Sequence, residues 1–211
     1  MTPSFHPSHE VLVDYAAGAV APGQAMVIAT HLRACAACRG EVALADAVGG
    51  ALLGALPPAP MREDALARAL AGIERPARNP PPPPAPRPDW IPVPSAVLEA
   101  ARRRRWSAPG VWVAPVLRGP GEARAYLLRV AAGMSVPHHG HRGAEMVCVL
   151  KGAYADRGDV HEPGDFAQSD ESVDHTPTVT LAGECVCLIA AEGALIPRNW
   201  VGRLFQPFVR I

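Results

Sequence analysis

No excess of charge, no membrane-length apolar run and no even set of cysteines occurs in this 211-residue chain. Its 20 Lys and Arg balance 20 Asp and Glu, with a pI near 7.1, so there is no global electrostatic attraction to nucleic acid. A stretch of about 18 apolar residues, long enough to cross a bilayer, is missing. The opening MTPSFHPSHE lacks the basic-then-apolar form of a secretion signal, and a cytoplasmic location is expected. Five cysteines, an odd number, read as ligands or redox-active thiols in a reducing compartment rather than as a disulfide framework.

What is plentiful is apolar residues, at 49%, and proline, at 24 residues. The apolar share allows a sizeable core in one or two domains. The prolines cluster: ten lie between Pro76 and Pro94, seven of them within positions 80–88. Such a stretch builds no core and acts as a semi-rigid polyproline spacer, a blander reading than a ligand for a proline-reading module. It divides the chain into residues 1–75, a spacer at 76–94, and residues 95–211.

The first part reads as four short helices. HEVLVDYAAGAV carries Val11, Leu12, Tyr15, Ala16 and Ala19 as an amphipathic stripe. Pro22 suits the first turn of a second helix running to the cysteines. EVALADAVGGALLGAL stops at Pro57-Pro58, and a fourth helix near 62–74 sets Leu66, Leu70 and Ile73 on one side. A core this small often needs a metal staple. THLRACAAC offers one: if the helix continues through it, His31, Cys35 and Cys38 fall within roughly a 60° arc of one face. An imidazole and two thiolates suit tetrahedral zinc, which then requires a fourth ligand from elsewhere.

Beyond Pro94 the pattern changes. VWVAPVL, AYLLRVAAG, EMVCVLKG and CVCLIAA are short apolar segments separated by Gly or Pro, the signature of an all-β sandwich or barrel. Arg102–Arg105, just before them, reads as a solvated basic segment. Within GMSVPHHGHRGAEMVCVLKG, His139 and His141 are two apart and share one side of a strand. Glu145 follows a Gly-containing turn and can return to the same centre. Three metal-capable residues so placed point to a metal, and iron, manganese, nickel and zinc all suit such donors.

Gly133, His139, His141, Glu145 and Gly152 match the first cupin motif, G-x5-H-x-H-x3-E-x6-G, at every position. Pro163-Gly164-Asp165 and His175 resemble the second motif in part. The resemblance implies a metal set of His139, His141, Glu145 and His175, with His138 and His161 at no ligand position.

Together, the H-x3-C-x2-C helical half and the cupin half resemble the ChrR-type zinc anti-sigma factors. The likeness spans nearly the whole chain: His6 ahead of VLVDYAAG, ATHLRACAAC, DAVGG, the proline joint, GHRGAE, HTP, CVCL and the terminal QPFVRI. It implies a two-domain α plus all-β protein, a four-helix zinc domain followed by a cupin double-stranded β-helix. It implies zinc on His6, His31, Cys35 and Cys38, two zinc per chain, and a closed structural site in the helical half. His9 is the rival for the fourth position; the family register favours His6.

The implied function is a 1:1 complex with an extracytoplasmic-function sigma factor, held by the helical half and released under singlet oxygen or related oxidative stress sensed through the cupin. Neither direct nucleic-acid binding nor a membrane is implied. Residues 1–75 carry five Lys and Arg against seven Asp and Glu, a mildly acidic face for a basic sigma surface. Cys185 and Cys187 are candidate redox thiols on one strand face. Their Cα atoms would lie ~6.5–7 Å apart, so a direct bridge is strained, leaving sulfenic acid, pairing with Cys148, or plain burial as small core residues. The competing reading is a metal-dependent cupin enzyme of dioxygenase type with a zinc-stapled accessory domain. It lacks an evident acid–base pair beside the ligands.

Overall fold

The computed structural model of the chain describes residues 2–73, 85–118, 124–193 and 196–197. The densest proline run, at 80–84, and the terminal QPFVRI lie outside the described residues.

Helix α1 (His9–Ala16) starts at Ser8, whose hydroxyl accepts the Val11 N–H, and turns Leu12 inward. Helix α2 (Pro22–Ala34) opens on Pro22, and the Gln24 side chain folds back to accept the Ala21 N–H at 3.1 Å. The single helix expected through THLRACAAC is broken. Cys35 is extended (φ −106°, ψ 110°), ending α2 and preceding α3 (Ala36–Gly54). Its sulfur takes the place of a capping oxygen by accepting the Cys38 N–H at 3.5 Å. Alanine-rich sequence favours a continuous helix here, and the tertiary arrangement of the sulfur and imidazole groups overrides it.

The corner makes α3 longer than expected and begins it five residues sooner than Glu41. Helices α1, α2 and α3 pack together. Helix α4 (Ala65–Ile73) buries none of its residues: Leu66, Leu70 and Ile73 are 71%, 53% and 79% exposed. Its apolar stripe is thus an open surface rather than a wall of the small core.

The second half opens with an unforeseen helix, α5 (Ser95–Ala101), whose Val97, Leu98, Ala100 and Ala101 are buried. Arg102–Arg105 follow, all exposed. Six antiparallel strands then form a large sheet in the order β1 (Arg105–Ala108), β2 (Val111–Arg118), β3 (Arg124–Val130), β10 (Cys185–Ala191), β5 (Glu145–Lys151), β8 (Phe166–Ser169). A smaller sheet holds β7 (Asp159–His161), β6 (Tyr154–Asp156) and β9 (Thr178–Val179); β4 (His139–Gly140) pairs with β11 (Ile196–Pro197).

The large sheet is apolar on both faces, which explains why CVCLIAA reads as one continuous apolar run. One face, with Tyr126, Val149, Cys185, Cys187 and Ile189, lines the barrel interior together with Tyr154 and Val179. The other, with Leu127, Met146, Cys148, Leu150 and Leu188, is covered by Leu12, Val27 and Ile28 of the N-terminal helices and by Val97 of α5. The N-terminal helices therefore share a core with the barrel's outer face.

The turn after β5 needs glycine. Gly152 has φ +70°, and a Cβ there would overlap the Glu184 carbonyl. Gly152→Ala is expected to cost about 2–3 kcal/mol, combining left-handed strain with the displaced backbone. Urea unfolding measures it, and a change below about 0.5 kcal/mol would contradict this account.

Candidate metal centres

Four side chains from three segments converge at the corner between α2 and α3. His31 lies in the last turn of α2, Cys35 at the break, Cys38 in the first turn of α3, and His6 on the extended segment before α1. His31 Nε2 is 3.3 Å from Cys38 Sγ, and His6 Nδ1 is 3.4 Å from Cys35 Sγ and 3.5 Å from Cys38 Sγ. Nitrogen and sulfur ligands around tetrahedral zinc are separated by about 3.6 Å, so the spacing suits that ion. His9 lies elsewhere, exposed and paired with Glu41 at 3.3 Å.

The electrostatics agree with a cation. The Gly164 carbonyl, 2.7 Å from His31 Nδ1, can only accept, so Nδ1 donates and Nε2 presents a lone pair to the sulfurs. Burial holds the His31 pKa below its usual value, keeping the ring neutral. Burial, with Cys35 alongside, pushes the Cys38 thiol up to about 12. Two thiolates here need a bound cation to offset that cost.

The second centre lies at the barrel mouth. His139 comes from β4, His141 from the residue after it, Glu145 from the first position of β5, and His175 from the loop bridged to His139. The two histidines two apart share a side, as strand alternation requires. His175 Nε2 is 3.0 Å from His141 Nε2 and 3.1 Å from His139 Nε2. His139 Nδ1 donates to the Pro137 carbonyl at 2.8 Å and His175 Nδ1 to Asp156 at 2.7 Å. Both therefore aim bare lone pairs at each other, an arrangement that repels unless a cation lies between them.

Burial lowers the His139 pKa and, with the two neighbouring imidazoles, takes His141 to about 4; burial alone raises Glu145 to about 8. With His139 and His141 favoured in the neutral form, His175 oriented by Asp156 and the buried Glu145 carboxyl 3.8 Å from His141 Nδ1, the donor set suits a divalent ion. Nitrogens ~3.0 Å apart subtend nearly a right angle at an ion ~2.1 Å away, which leaves room for further ligands.

Beside this centre is a cavity of about 70 Å³ whose lining includes Tyr126, His139, Glu145, Tyr154, His175, Cys185 and Cys187. The two cysteines are reduced and buried, with sulfurs 3.6 Å apart. Contact with Cys185 and burial push the Cys187 thiol well above its ordinary range. Cys148 belongs to the opposite, outer face of the sheet, so it cannot pair with either of them. The reason is register: Cys148 sits opposite Leu188, one residue out of phase with Cys187.

Asp156, which orients His175, had no signal in the sequence; Gly164 and Asp165, which resemble part of the second cupin motif, turn instead toward the N-terminal centre, where the Gly164 carbonyl orients His31. His138 is exposed against Thr176, and His161 is buried between Phe5 and Tyr154.

Residues 96–195 match the ChrR cupin-like domain family. Over 218 aligned positions covering all of both proteins, the chain is 37% identical to the anti-sigma-E factor ChrR of Cereibacter sphaeroides. The chain belongs to the ChrR family. Its fold matches the crystal structure of Rhodobacter sphaeroides SigE in complex with the anti-sigma ChrR, with a TM-score of 0.73 and 35% identity over 89% of this chain and 98% of that one. The expected architecture, N-terminal helices followed by a cupin-like β domain, is the one found. No helix among the described residues is long and apolar enough to cross a membrane.

Proposed function

We propose that this chain is a cytoplasmic anti-sigma factor, a regulator rather than a catalyst, that binds an extracytoplasmic-function sigma factor 1:1 through its N-terminal helices. The full-length likeness to a protein known in complex with SigE carries the reading. The helices supply a fitting surface, since Leu44, Val48, Leu52 and Leu53 of α3 and Leu66, Leu70 and Ile73 of α4 are exposed. Such apolar area on a free chain suits burial against a partner.

In this reading His6, His31, Cys35 and Cys38 hold a structural zinc. His139, His141, Glu145 and His175 hold a second divalent ion, zinc by family analogy, in a centre open to the cavity. A bound ion there supplies an oxidant-accessible Lewis acid. The chain's own contribution is to orient the imidazoles, through the Pro137 carbonyl and Asp156, and to place the Cys185 and Cys187 thiols beside them. Oxidation in this cavity, by singlet oxygen or a related species, is the signal that releases the sigma factor.

The test is coexpression with the sigma factors of the same cell, followed by copurification and metal analysis. A 1:1 complex with two metal ions per anti-sigma chain supports the proposal; failure to retain any sigma factor refutes it. Leu66→Ser, Leu70→Ser and Ile73→Ser together are expected to weaken the complex by on the order of 100-fold, at about 1 kcal/mol for each apolar side chain removed from the interface. The fold should be unaffected, because none of the three is buried. Calorimetric titration showing unchanged affinity would remove α4 from the interface.

A further inference from the structure

The Glu162–Phe166 turn of the barrel, partly matched to a cupin metal motif, is turned toward the other metal centre. Asp165 is 3% exposed and spends its carboxylate on backbone donors. Oδ1 accepts from Ser4 N–H at 2.6 Å and Phe5 N–H at 3.1 Å, and Oδ2 accepts from Glu162 N–H at 2.7 Å. Phe166 N–H then donates to the Phe5 carbonyl at 3.0 Å. Gly164 has φ +96°, and its carbonyl orients His31; a Cβ there would press on Pro3 and Ala34 at 3.0 and 3.2 Å. The Phe5 ring rests on His161, 4.4 Å away, which in turn stacks at 4.9 Å on Tyr154 of the barrel cavity.

We infer that Asp165 is the positioning residue of the N-terminal metal centre, clasping residues 4–5 to the barrel so that His6 stands where the metal needs it. His6 is the exposed member of its set and lies outside any helix, so nothing in its own segment fixes it. The two N–H groups immediately before it are held by one buried carboxylate. The barrel thereby orients both imidazoles of the helical centre, His6 through Asp165 and His31 through the Gly164 carbonyl. The inference rests on the metal reading of His6, His31, Cys35 and Cys38.

Cobalt(II) tests it in the full-length chain. Cobalt bound to thiolates shows sulfur-to-metal charge-transfer bands, which report the N-terminal centre alone because the barrel set has no sulfur; total cobalt released, less that fraction, reports the barrel. In Asp165→Ala a chelator should remove thiolate-bound cobalt ~10–100-fold faster than in the unaltered protein, with barrel cobalt leaving at an unchanged rate. Asp165→Asn, which keeps an acceptor for Ser4 and Phe5 but sets an amide NH2 against the Glu162 N–H, should recover part of the difference. Ser4→Pro removes the 2.6 Å donor from outside the barrel, and should also speed release. Release from Asp165→Ala and Ser4→Pro at the unaltered rate overturns the inference. So does parallel loss of both cobalt ions, which would make Asp165 a support of the barrel alone. Absence of thiolate bands in the unaltered protein would instead refute the metal reading beneath it.

Discussion

Cys35→Ser combined with Cys38→Ser is expected to abolish sigma-factor binding and remove one zinc per chain. The reason lies in how α3 is held. Over its 19 residues, Cys38 is the sole buried one, and Cys35 caps its first turn. Apolar burial therefore contributes little to seating this helix, and on the proposed reading a zinc on His6, His31, Cys35 and Cys38 supplies most of its attachment. Structural zinc sites are worth apparent values of about 10–16 kcal/mol at neutral pH, comparable to the whole stability of a small domain. Without it α3 should detach from α1, and the exposed leucines of α3 and α4 lose their fixed relation. Metal analysis, far-UV circular dichroism and copurification check this together. Retention of the sigma factor within tenfold of the native affinity by the double variant would show that zinc does not shape the binding surface.

Substitution in the barrel should have the opposite profile. His141→Ala with His175→Ala removes two of the three inward-facing imidazoles and is expected to empty the barrel centre. Sigma binding should stay within about twofold, because the N-terminal helices sit on the outer face of the large sheet and the centre opens on the inner face. The response to singlet oxygen in a sigma-dependent reporter should fall to near its uninduced level, a loss of tenfold or more. If sigma binding fell in parallel, the barrel would be part of the clamp. An unchanged oxidant response would place the sensor elsewhere.

The first test reads whether the helical centre builds the binding surface, and the second whether the barrel controls it. Cys185 and Cys187 join the second question. Their sulfurs already touch at 3.6 Å in the cavity, so their oxidation would alter the wall on which Tyr154 and His161 stack.

Much was legible in the residues themselves. Alternation fixes His139 and His141 to one side of a strand, because the period of an extended chain is two whatever surrounds it. The apolar run CVCLIAA announces a strand buried on both faces, and Pro22 marks a helix start by geometry local to its own ring. Spacing pointed to His31, Cys35, Cys38, His139, His141 and Glu145, and the family resemblance added His6 and His175; the eight side chains lie together in two groups of four.

Tertiary structure decided what depends on partners distant in the chain. The break at Cys35 goes against local helix propensity and follows from four donors having to meet at one point. Asp156, 19 residues from His175, and Asp165, 161 residues from Ser4, acquire their roles only when strands and loops come together. Cys148 was separated from Cys187 by register, which is a property of the paired sheet and not of either strand. Local sequence dictates period, turns and ligand chemistry because these act within a few residues; which carboxylate stands behind which imidazole is settled only by closure of the barrel and the docking of the N-terminal segment upon it.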